Sequence, residues 1–195
     1  MGRLIVAAVA AITISGCAVV GAVGGAAVDG MVYLFKGEEE SFPVSMRGSL
    51  AAAQRVLKKS AFRANVLEPV DDGYLMAFGN ENLDGKLSFK KLTESLTTVD
   101  AKVRNGLLRQ DSVERALIRV FREEVKKVKS QDRFDFRGYR NIRENPDINA
   151  KRVGWYLPGN FLDVKPLKDS EWLRIKMPSG KSAYLKGSIA AFTRK

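Results

Sequence analysis

The chain changes its hydrophobic rhythm several times, and each change marks an element. Leu4 to Ile14 is an unbroken apolar run apart from Thr13. Ala18 to Gly30 is rich in Gly, Ala and Val, and its glycines (Gly21, Gly24, Gly25, Gly30) argue against one strong helix. Val32 to Phe35 is β-like and passes through Glu38-Glu39-Glu40 to Pro43, which suits an edge strand or a strand end. Leu50, Ala53 and Leu57 recur at helical spacing, so a helix capped by Ser45 or Ser49 is expected through Lys59. Strands follow at Arg63–Leu67 and Tyr74–Phe78, separated by a turn over Glu68–Gly73. Asp84-Gly85 suits a hairpin turn. Lys86–Lys90 and Ser95–Arg104 alternate in the manner of half-buried antiparallel strands. Asp111-x-x-Glu114 has the form of a capping box before a helix with a Val113, Leu117, Val120, Phe121, Val125, Val128 stripe. Strand, helix, several strands and helix together predict an α+β domain over residues 32–129.

After the polar stretch 130–133, read as a linker, the texture changes to short strands separated by Asn-Pro, Pro-Gly and Ser-Gly turns. That pattern predicts a small all-β barrel over residues 134–195. Both tryptophans of the protein, Trp155 and Trp172, fall there. Aromatic side chains offer large contact area at low entropic cost. Trp155, Tyr156, Trp172 and Tyr184 are open to two readings, as contact residues or as core residues of a tiny barrel.

The start of the chain carries the sharpest chemistry. Met1-Gly2-Arg3, the apolar run, and the small pair Ser15-Gly16 have the layout of a secretory signal peptide over residues 1–16. Leu4 to Val28 holds no charge and is also long enough to span a bilayer of about 30 Å, so a plain transmembrane anchor competes with that reading. An ordinary signal peptide with Cys17 incidental, and a buried core helix, compete too. Cys17, the only cysteine in the chain, directly follows the small pair. Ile14-Ser15-Gly16-Cys17 resembles the lipobox of bacterial lipoproteins. That resemblance implies cleavage between Gly16 and Cys17, a diacylglycerol on the Cys17 thiol, and an amide-linked acyl chain such as palmitate on its new amino group. Residues 17–31 then become a lipidated tether.

Charge narrows the partners. The chain carries net +11, and loss of Arg3 with the leader leaves +10. From Phe134 onward there are 13 basic and 6 acidic residues, net +7, so the basic bias concentrates in the last third. Such a surface favours anionic partners, and export makes nucleic acid the least expected of them. There is no histidine. That removes the commonest general base and the commonest transition-metal ligand, and no metal site is expected. A catalytic reading would rest on carboxylates such as Glu38, Glu39, Glu40 or Glu171, none of which sits in a recognisable catalytic motif. The expectation is a non-enzyme.

Two further resemblances extend this. Cys17, the Gly/Ala tract, Tyr33–Gly37, the helix after Pro43 and Val103-Arg104-Asn105-Gly106 resemble a small family of bacterial lipoproteins of unknown function (DUF3568). Its pattern at the last motif is Ile-Arg-Val-Gly, from which Asn105 departs. Asn141-Ile142-Arg143-Glu144-Asn145-Pro146, Gly154–Gly159, Glu171–Ile175 and Ser179–Leu185 are similar, in order, to the motifs of bacterial SH3 domains. Ala183 and Tyr184 stand where that family has Gly and Trp. The resemblance implies an SH3-like barrel binding peptidoglycan or peptides through an aromatic groove, for which Trp155, Tyr156, Trp172 and Tyr184 are the candidate ligand-binding residues. The expectation is then an α+β domain followed by an SH3-like barrel, in a lipoprotein of the envelope. Ala18 in place of Asp after the cysteine suggests the periplasmic face of the outer membrane. The alternative is an accessory subunit that binds a protein partner in an envelope complex.

Overall fold

Thirteen elements follow one another along residues 37–158 and 164–187, which the computed structural model describes. The lipobox, the Gly16/Cys17 cleavage position, the tether 17–31 and the Val32–Phe35 stretch lie outside the described residues. The first part runs β1 (Glu38–Phe42), α1 (Met46–Lys59), β2 (Arg63–Val70), β3 (Gly73–Gly79), β4 (Asp84–Thr93), β5 (Leu96–Asn105), β6 (Leu108–Arg109) and α2 (Asp111–Val125). Five short strands complete it: β7 (Arg140–Arg143), β8 (Arg152–Tyr156), β9 (Val164–Pro166), β10 (Trp172–Lys176) and β11 (Ser182–Lys186). All belong to one 11-stranded antiparallel sheet in the order β1-β5-β4-β3-β2-β8-β7-β11-β10-β9, with β6 paired to β5.

This corrects the expected architecture. An α+β domain followed by a separate SH3-like barrel is replaced by a mainly β structure, one continuous sheet with two short helices among the described residues. The physical reason is in β2. Leu67 and Met76, paired across β2 and β3, face the helices and join Phe42, Phe78, Phe89, Leu117 and Phe121 in the first core. Val66 and Ala77, one residue along, face the other way. They join Ile142, Tyr156, Leu173, Ile175 and Leu185 in a second core. The last five strands thus complete their core with residues borrowed from β2 and β3, rather than closing on themselves. Packed between two cores, β2 is buried without a break from Ala64 to Glu68, the polar Asn65 and Glu68 included, instead of alternating.

Local boundaries move for identifiable reasons. The predicted turn over Glu68–Gly73 shrinks, because β2 continues through Glu68 and Pro69 to Val70. Proline is tolerated there because β8 pairs β2 only at Val66 and Leu67, leaving Pro69 off that ladder. Asp84-Gly85 opens strand β4 instead of turning; the turn lies before it, closed by Asn80 Oδ1, which accepts from the N–H groups of Asn82 and Leu83. Ser45, not Ser49, caps α1, its hydroxyl accepting from Gly48 N at 3.3 Å. Asp111 does not cap α2, whose N-cap is Gln110 without a side-chain bond. The Glu114 carboxylate instead is buried and accepts from Val103 N at 2.9 Å and from the Arg109 guanidinium, fixing α2 to β5. At its other end, buried Glu124 receives Lys59 at 2.6 Å, Lys127 at 2.9 Å and Arg55 at 3.3 Å, tying α2 to α1.

Two outcomes follow for stability. The hydrogen bonds from Lys59 and then Lys127 hold Glu124 down to about 2, below its ordinary 4.5. The unfolded chain takes up this proton first, so the cluster's stabilisation is complete above about pH 4.5 and is lost as pH falls towards 2. Glu124→Gln is expected to flatten the acid limb of unfolding free energy against pH, followed by urea denaturation. At Gly154 an added Cβ would lie 2.8 Å from Leu67 O and 3.0 Å from Met177 Cε. Gly154→Ala should therefore cost about 1–3 kcal/mol by overpacking, read as a lowered urea midpoint.

Candidate functional site

Strand register lines up side chains that are far apart in sequence. On β8, β7, β11, β10 and β9 the direct partners are Arg152↔Arg143, Arg143↔Tyr184, Tyr184↔Arg174 and Arg174↔Lys165. Directly opposed residues share a sheet face. This row lies on the side away from the second core, because its neighbours Ile142, Leu185, Leu173 and Ile175 fill that core. Four cations and one tyrosine thus cross five neighbouring strands. At about 4.8 Å per strand the line is about 19 Å long. Lys176 and Lys186 share the face, Lys186 pairing with Glu171 at 3.0 Å. None of the four cations in the line forms an ion pair with a described residue. Arg143 is held by a 2.8 Å bond from Nη1 to Ala150 O.

Aromatic groups sit at one end of the line. The Arg152 guanidinium lies 4.6 Å from the centroid of the Trp155 ring. Trp155 stacks on Phe136 at 4.8 Å, and Phe136 packs on Phe134 at 4.8 Å and against Tyr139. Tyr139 donates its hydroxyl to Ala64 O at 2.7 Å, and burial pushes its phenol up from the ordinary range. Phe136 is 42 % exposed and forms the open part of this cluster.

The four candidate aromatics are therefore separated. Trp155 and Tyr156 are consecutive on β8 and point to opposite faces. Tyr156 is 1 % exposed in the second core, where it lines no groove. Trp155 is half-buried against the first core. Tyr184 is half-buried in the centre of the cationic line. Trp172 shares the face of Arg174 and is buried. Phe136, Arg143, Arg152, Lys165 and Arg174 were absent from the sequence-based selection. The alternation Trp172-Leu173-Arg174-Ile175-Lys176 does place Arg174 on the face of Trp172, but the lateral register that aligns five strands has no local signal.

The electrostatics of the row are unfavourable on their own. Arg152 opposes Arg143, and Arg174 opposes Lys165. Like charges directly across a ladder destabilise it. An anion laid along the row removes that repulsion, so the arrangement suits an extended polyanion better than a single small ion. The acids considered for catalysis are not brought together. Glu40 is bound by Arg122 at 2.6 Å, Glu38 and Glu39 lie beside it on β1, and Glu171 pairs with Lys186. Among the described residues no group of His, Cys, Asp or Glu is placed to hold a metal ion.

No family model matches this chain, and no curated protein matches it. The resemblances to the lipoprotein family and to bacterial SH3 domains therefore rest on their short motifs alone. Lys165→Glu is expected to stabilise the unliganded protein by about 0.2–1 kcal/mol in urea denaturation, by converting a repelling pair into an attracting one. The same change should weaken retention of the protein on an immobilised polyanion.

Proposed function

We propose that this chain is a lipid-anchored envelope protein, held through Cys17 to the periplasmic face of the outer membrane, and that its C-terminal strands are a non-catalytic binding module for the cell wall. The observation that supports it most is the cationic line Arg152–Arg143–Tyr184–Arg174–Lys165. Peptidoglycan presents repeated carboxylates on its stem peptides, and guanidinium groups recognise carboxylates bidentately. The exposed edge of Phe136 beside Trp155 supplies an apolar contact at the end of the track.

A second reading is that of an accessory subunit in an envelope complex. It is favoured by the tip of the β5–β6 hairpin, where Leu107 is 92 % and Leu108 72 % exposed. Adjacent exposed leucines on a turn are an apolar contact in search of a partner.

Co-sedimentation of the full chain with purified sacculi across a salt series separates the two. Under the wall reading, Arg143→Glu with Arg174→Glu lowers the association constant about tenfold or more, about 1.4 kcal/mol, while Leu107→Ser with Leu108→Ser leaves it unchanged. Absence of sedimentation, or sedimentation erased by modest salt in the unmodified protein, rejects wall recognition and leaves charge attraction alone. Loss of an envelope crosslink in the leucine variant, with sacculus binding absent throughout, supports the subunit reading.

A further inference from the structure

A cavity of about 1100 Å³ adjoins the aromatic end of the cationic line, because Phe136, packed on Trp155, also lines it. Its floor is apolar: Met46 and Leu50 of α1, Tyr74 of β3, and the Phe134 and Phe136 rings. Its rim carries Arg47, Arg133 and Arg137 with one acid, Asp135. The rim segment alternates as Arg133-Phe134-Asp135-Phe136-Arg137, so that Phe134 anchors it, 4 % exposed, in the first core. The Gln54 side chain fixes the same segment to α1 with a pair of bonds. Its Nε2 donates to Asp135 O at 2.9 Å, and its Oε1 accepts from Asp135 N at 2.8 Å. Asp135 is turned to Arg137, which donates from Nε at 2.8 Å and holds the carboxyl below the usual range. Arg47 donates to Ser130 O. Arg133 is exposed and makes no hydrogen bond or ion pair with a described residue.

This is a cavity of ligand-binding size, about 300–1,000 Å³ or slightly above, with one guanidinium at its mouth, Arg133, that makes no direct bond to a described residue. The apolar floor offers few partners to a sugar, and the rim repels a cation. An alkyl chain matches the floor and a carboxylate matches Arg133, at the strength of a charge-assisted hydrogen bond. We propose that the cleft between α1 and residues 133–137 binds a long-chain fatty-acid anion, its chain against Met46, Leu50 and Phe134 and its carboxylate on Arg133. The proposal uses none of the cations of the cross-strand line and stands or falls separately from wall binding.

The test is photo-crosslinking of the full chain, held in nanodiscs, with a diazirine-bearing hexadecanoate, followed by peptide mass spectrometry. Crosslinks are expected on the peptides containing Met46–Leu50 and 133–137, displaced by palmitate and not by hexadecyltrimethylammonium. Arg133→Glu should reduce that labelling about tenfold or more, and Arg133→Lys, which keeps the charge but not the planar fork, should lie between it and the unmodified protein. Far-ultraviolet circular dichroism reports that both exposed-site variants are folded. Equal displacement by the cationic amphiphile, labelling confined to residues 1–36, or undiminished labelling of Arg133→Glu would overturn the site. Stronger displacement by a lysophospholipid than by palmitate would overturn the carboxylate assignment.

Discussion

The structure depends on a ladder two residues long. β2 pairs β8 through Val66↔Tyr156 and Leu67↔Trp155 and nowhere else. At this point each strand presents alternate residues to two different cores. Leu67 and Trp155 go to the helical side, and Val66 and Tyr156 to the other. Close approach of the backbones is permitted by Gly154. Glu68 reinforces the seam from β2: its buried carboxylate accepts from Ser179 N at 2.8 Å and Ser179 Oγ at 2.6 Å, clamping the β10–β11 turn. Lys86 adds a bond to Pro178 O at 3.4 Å. Breaking such a clamp leaves a desolvated carboxylate unpaired, which costs more than the hydrogen bonds themselves contribute.

On the helical side two buried carboxylates perform the equivalent task. Glu114 at the start of α2 satisfies a β5 backbone N–H, and Glu124 at its end gathers cations from α1 and its own last turn. Both acids lie on the buried face of an amphipathic helix, where periodicity alone would place apolar residues. Each is fully partnered, the condition under which a buried charge is tolerated. Against these paired carboxylates, the row of cations on the C-terminal strands, none of which meets an acid among the described residues, is an exception that stability does not account for.

The sequence was most informative where a signal is local. Ser45 before the α1 stripe, the alternation in Ser95–Arg104 and the amphipathic run from Val113 all carry their structure in adjacent residues, and those elements appear close to where their pattern places them. The architecture was not legible, because it hangs on Val66 and Ala77. In sequence they are ordinary core residues of a strand pair; only the pairing of β2 with β8 turns them into a wall shared by two cores. A run of turns after residue 134 likewise reads the same whether the strands close into a barrel or extend a sheet. The site was legible in part. Its residue types and basic bias were visible, whereas the alignment of Arg152, Arg143, Tyr184, Arg174 and Lys165 is a property of lateral register, which no single stretch of chain encodes.

An open sheet of this length also ends in two boundary strands, β1 and β9 among the described elements. β1 bears Glu38, Glu39 and Glu40, and β9 bears Lys165 and Pro166. Boundary strands recruit further strands from other molecules unless charge or missing donors discourage them. Pro166 withholds one donor, and each boundary repels its own copy. The two are, however, opposite in sign. Pairing of like boundaries is thereby disfavoured, and the complementary pairing is directional, acidic boundary to basic boundary. At high local density, that polarity would set the order in which molecules line up.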